Sequence, residues 1–143
     1  MHPLIEALGT QHGFIAVNEH SIDDVAGALE VTMLVICGNP QVTGEALDLA
    51  VVAPELLKAL GGRVAGLVAK PEAERHFQMR FGFSLFPALI FMRRGQYLGA
   101  LTRIRDWPDY MVEIPQILQR QASPPPQFEL PRGCGNLQVA APH

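Results

Sequence analysis

Cys37 and Cys134 are the two thiols of this chain, 97 positions apart in sequence and in no Cys-x-x-Cys motif. Disulfide exchange requires a low-pKa attacking thiolate with a resolving thiol about one helical turn away. Cys37-Gly38-Asn39-Pro40 offers half of such a pair, and Cys134 lies among Pro131, Gly133 and Gly135. A cysteine closing an apolar strand reads as a core residue; a thiol-dependent oxidoreductase using Cys37 is the alternative. The five histidines, His2, His12, His20, His76 and His143, are scattered without ligand spacing, so neither a metal nor another cofactor is expected.

The carboxylates are more suggestive. Asp23 and Asp24 follow Ser21, a helix-cap candidate, and Glu45 and Asp48 open the longest helical segment. Acids in a first turn suit the helix dipole, and they could also pair with arginines through charge-assisted hydrogen bonds. The net charge of −3 conceals a division: residues 1–62 hold eight acids and one base, Lys58, whereas residues 63–143 hold six acids and ten bases. Either one face attracts a basic partner or folding mixes the halves. An acidic chain without a basic and aromatic cluster gives no support to nucleic-acid binding.

The elements that would position these residues follow from periodicity. Gly13–Val17 reads as a strand, and Ile22–Leu29 as a helix with Ile22, Val25, Ala26 and Leu29 on one face. Val31–Cys37 is the best strand in the chain, closed by the turn Gly38-Asn39-Pro40. Glu45–Leu60 is a helix kinked by Pro54 and stopped at Gly61-Gly62. Val64–Ala69 is an interior strand, and Pro71–Arg80 a short helix ended by Gly82. Ala88–Met92 and Tyr97–Leu101 form a hairpin in which Gly95 supplies positive φ. Asp106 caps a last helix, Trp107–Arg120, which Pro115 should bend or divide.

The order β-α-β-α-β-α-β-β-α predicts an α/β fold with a mixed central sheet and helices on both faces. At 143 residues, 48% of them hydrophobic, the chain suits one domain over residues 1–120, with a mobile Pro/Gly-rich tail over 121–143. No apolar run reaches the roughly 18 residues of a membrane span, and residues 1–10 lack the pattern of a secretory leader. A cytoplasmic protein that does not insert into membranes is expected.

Phe81-Gly82-Phe83-Ser84-Leu85-Phe86-Pro87-Ala88-Leu89-Ile90-Phe91-Met92-Arg93-Arg94-Gly95-Gln96 resembles the thioredoxin stretch that holds the cis-proline loop, the next strand and the hairpin turn. Val52-Ala53-Pro54 resembles the kinked second helix of thioredoxins, and thioredoxin spacing places Ala46 and Leu49 at the two cysteine positions of the redox motif. The resemblance implies a cis Pro87 and a thioredoxin-like fold without the catalytic pair. Over residues 1–120, and at Trp107-Pro108-Asp109-Tyr110, the chain is similar to the HupG/HyaE/HoxO family. That resemblance implies a non-catalytic chaperone for uptake nickel–iron hydrogenase maturation, with the hydrogenase small subunit and its twin-arginine signal peptide as partners. A generic thioredoxin-like scaffold is the residual alternative. On this reading Phe86 offers backbone pairing beside Pro87, Ala46, Leu47 and Leu49 give an apolar floor, and Glu45, Asp48, Asp23 and Asp24 take the arginines.

Overall fold

In the computed structural model, which describes residues 1–128, eleven elements follow one another. They are α1 (Pro3–Thr10), β1 (Ile15–Val17), α2 (Ile22–Gly27), β2 (Val31–Ile36), α3 (Ala46–Ala59), β3 (Ala65–Ala69), a 3-10 turn (Pro71–Ala73), α4 (Glu74–Phe81), β4 (Ala88–Arg93), β5 (Gln96–Thr102) and α5 (Trp107–Leu118). The five strands form one mixed sheet in the order β1-β3-β2-β4-β5. β1, β3 and β2 run parallel; β4 is antiparallel to β2, with Ile36 opposite Ala88, and β5 is antiparallel to β4.

The expected order holds from β1 onward, but α1 precedes it. Its Ile5 and Leu8, one turn apart, are buried in the layer that also holds α3, and the His2 Nδ1 accepts the Leu4 N–H at 3.0 Å as an N-cap. Leu4, Ile5, Ala7 and Leu8 carry the helical spacing of α1 in the sequence.

Two cores flank the sheet. Ile5, Met33, Val35, Leu49, Leu56, Leu89, Phe91 and Ile114 lie on the side of α1, α3 and α5. Ile22, Leu34, Ile36, Phe77, Ile90 and Met92 lie on the side of α2 and α4. Central strands buried on both faces become continuous apolar runs, which is why β2 and β4 are so legible.

Three local expectations change. Ser21 does not cap α2: its Oγ accepts the Asn18 N–H at 3.0 Å, and Asn18 Oδ1 takes the His20 and Ser21 N–H groups, so Asn18 organises this turn. The Asp106 side chain makes no cap bond either; its carbonyl accepts from Asp109 and Tyr110. Of the two outcomes expected at Pro115, division does not occur: it lies inside α5, which runs on as one helix with Ile114 and Ile117 held in the core. The hairpin turn has positive φ at both Arg94 (51°) and Gly95 (81°), the pattern of a tight two-residue connection. The described part of the tail carries no helix or strand; the Ser123 N–H donates to the Tyr97 carbonyl on edge strand β5, and Pro126 packs at Gly82. The rest of the tail, Cys134 included, lies outside the described residues.

Candidate functional site

The C-terminal ends of β2 and β3, the start of β4 and the N-termini of α3 and α4 meet at one end of the sheet. Parallel strands leave such a crevice at their carboxyl ends because the chain departs toward the two helical layers. The Phe86–Pro87 peptide bond here is cis, as the thioredoxin resemblance implies. Pro87 is buried and Phe86 half-buried.

Gly38, just past β2, makes the close approach possible. Its φ is +86°, and a Cβ there would stand 2.9 Å from both Phe86 Cβ and Thr43 Oγ1. The Phe86 ring lies edge-on to Phe83 with centroids 5.4 Å apart. Among the described residues, no intrachain hydrogen bond uses the Phe86 N–H or C=O. Both groups are thus uncommitted within the described chain, and Phe86 lines two shallow clefts. One, of about 380 Å³, is lined by Val42, Thr43, Gly44, Glu45, Phe86 and Arg103. The other, of about 320 Å³, includes Gly38, Thr43, Glu74, Gln78 and Phe86.

The other sequence-predicted site residues divide. Glu45 is at the site, but its carboxylate is occupied: Arg103 Nε and Nη2 donate to it at 3.0 and 2.7 Å, and the Ile104 N–H at 2.8 Å. The Arg103 hydrogen bonds, followed by that of Ile104, lower the Glu45 carboxyl to a pKa of about 2. Ala46 and Leu49 are buried in the core, so they form no floor for a ligand; of that set only Leu47 reaches the surface, half-buried. Asp48 is exposed on the first turn of α3. Asp23 and Asp24 belong to the opposite helical layer, on α2, where Asp23 pairs with Arg80 at 2.6 Å. The fold does not bring those two acids together with Glu45.

Sequence reasoning missed Arg103, Glu74 and Val42. Arg103 joins the site loops: its N–H donates to the Pro87 carbonyl at 2.7 Å while its side chain holds Glu45, and its φ of 64° is unusual for a residue with a Cβ. The Gly38 N–H donates to Glu74 Oε2 at 3.0 Å, and burial, the larger effect, raises the Glu74 carboxyl above the usual range against that bond. Val42, 81% exposed, lines both clefts, and Leu85, 45% exposed, immediately precedes Phe86. A non-glycine forced to positive φ and a large aliphatic left in a polar loop leave no periodic signal to find.

Cys37 is 1% exposed, and burial, followed by the nearby Glu74 charge, pushes its thiol up to about 12. At neutral pH it is a protonated core side chain, without the thiolate that nucleophilic chemistry requires. Among the described residues, no three His, Cys, Asp or Glu side chains are grouped to hold a metal, and no helix is long and apolar enough to cross a membrane.

Residues 4–110 match the family model described as hydrogenase-1 expression protein HyaE. The chain belongs to the HyaE family. Among the relatives of this HyaE-family chain, the hydrogenase expression/formation protein HoxO of Azotobacter vinelandii is 39% identical over 118 residues, 82% of this chain and 79% of that protein. HupG of Bradyrhizobium diazoefficiens is 36% identical over 78% of each chain. A HupG crystal structure from Rhodopseudomonas palustris, 34% identical, covers 73% of this chain and 94% of its own, with a TM-score of 0.51. A mutant thioredoxin from Halobacterium salinarum, 16% identical, covers 77% of this chain and 93% of its own with a TM-score of 0.58. The HyaE-family chain thus has a thioredoxin-like fold.

Proposed function

We propose that the chain is a non-catalytic accessory chaperone in the maturation of an uptake nickel–iron hydrogenase, acting in the cytoplasm by binding the small subunit through its twin-arginine signal peptide. The observation that carries this reading is the uncommitted main chain of Phe86 beside Pro87, set at the rim of two clefts. An extended segment can add to such an edge as a strand, taking affinity from backbone hydrogen bonds and selectivity from the flanking pockets. Val42, Leu85 and the Phe86 ring offer the hydrophobic stretch of a leader an apolar surface. The relatives named for hydrogenase expression and formation support the pathway, and the buried, protonated Cys37 favours binding over thiol chemistry.

Fluorescence anisotropy of the full chain with a labelled hydrogenase small-subunit signal peptide tests it. Micromolar binding is expected, weakened about tenfold by an N-methyl group on the peptide amide that pairs with Phe86, since the lost bond and clash amount to about 1.4 kcal/mol. Absence of binding to the unmodified peptide overturns the reading.

A further inference from the structure

The acids around the clefts differ in what they already hold. Glu45 accepts three hydrogen bonds from Arg103 and Ile104, and Asp23 is paired with Arg80. Glu74, the first residue of α4, has only the Gly38 N–H on Oε2, and no ion pair among the described residues uses it. It lines the cleft that contains Phe86 and Thr43, and also a larger one of about 470 Å³ beyond the Gly38–Gln41 loop, where Met1, His2 and Ile5 form the wall. Arg75 lines the same cleft as Phe86 but makes no ion pair with Glu74.

We propose that Glu74, not Glu45, receives an arginine side chain of an extended peptide lying on Phe86. This rests on the peptide-binding reading above and assigns the residue that would give it charge selectivity. A peptide strand paired at Phe86 sends alternate side chains to opposite faces, and one of those directions is the cleft walled by Glu74. Among the described residues Oε1 has no donor, so it can accept a guanidinium N–H while Oε2 keeps Gly38, and the planar fork of arginine suits a carboxylate better than a lysine ammonium does. The partial burial that already disfavours the lone Glu74 charge also strengthens its attraction to an incoming cation.

The test is a double-mutant cycle on the full chain, pairing Glu74→Gln with labelled hydrogenase signal peptides in which each arginine in turn is changed to glutamine. The introduced side-chain amide would retain an acceptor for the Gly38 N–H, and matching circular dichroism and urea midpoints confirm that the variant is folded. Against the wild type, one arginine change should cost about tenfold in Kd; against E74Q the parent peptide should be about tenfold weaker and that same change should cost nothing more. Independent, additive losses, or full affinity in E74Q, overturn the assignment while leaving binding at Phe86 intact. Failure of the parent peptide to bind the wild type removes the peptide-binding reading and this assignment together. Should E74Q not fold, Glu74→Asp, with its shorter reach, replaces it, and the same coupling to one peptide arginine decides.

Discussion

Arg103 grips Glu45 with two hydrogen bonds, at 3.0 and 2.7 Å, while its own N–H holds the Pro87 carbonyl at 2.7 Å. One residue thereby fixes the start of α3, the β5–α5 loop and the cis-proline loop relative to one another. Because the Glu45 pKa is lowered in the folded state from 4.5 to about 2, its ionised form stabilises the fold fully above pH 4.5, and this contribution declines as pH falls toward 2. In urea titrations across that window, Glu45→Gln should show a shallower loss of stability than the wild type. Identical slopes would mean that the pair is too solvated to matter.

For Cys37 the sign is opposite. Its thiol is raised from 9 to about 12, so the folded chain stays protonated where the unfolded chain ionises, and stability should fall as pH climbs from 9 toward 12. Cys37→Ala should make that alkaline decline shallower without abolishing it, because burial also raises the Tyr97 and Tyr110 hydroxyls. In a Cys134→Ser background, native protein at pH 7.5 should resist iodoacetamide and become labelled only after denaturation; rapid native labelling would contradict the burial.

Gly38→Ala should destabilise the fold by about 1–3 kcal/mol, since a Cβ at positive φ would meet Phe86 and Thr43 at 2.9 Å. Phe86 must then move, so peptide affinity should drop along with the unfolding midpoint. An unchanged midpoint together with unchanged binding would refute the packing argument.

Thr32 lies fully buried in the central strand β2 with no hydrogen-bond partner for its hydroxyl among the described residues. Replacing it by the near-isosteric valine removes a desolvated polar group and keeps the β-branched shape, so Thr32→Val should stabilise by about 1 kcal/mol. Chemical denaturation decides this; a loss of stability would point to a hydrogen bond that the hydroxyl makes in solution.

The sequence by itself determined the sheet and most of its cover, because burial on both faces makes β2, β3 and β4 contiguous apolar runs, and glycines mark where the chain turns. Its resemblance to thioredoxins implied the cis bond at Pro87, which the structure contains, and placed Ala46 and Leu49 at the positions of the redox cysteines. Only the tertiary structure decided which acids are free. Glu45 and Asp48 are near neighbours in sequence, yet Glu45 is taken by Arg103 from 58 residues away and Asp48 stands in solvent. Asp23, Asp24 and Glu74 lie on helices of the layer opposite α3, but only Glu74 lies beside Gly38 at the clefts. Side-chain periodicity reports which face of an element is buried; it carries no information about which partner a distant loop delivers, and a charge's availability depends on that partner.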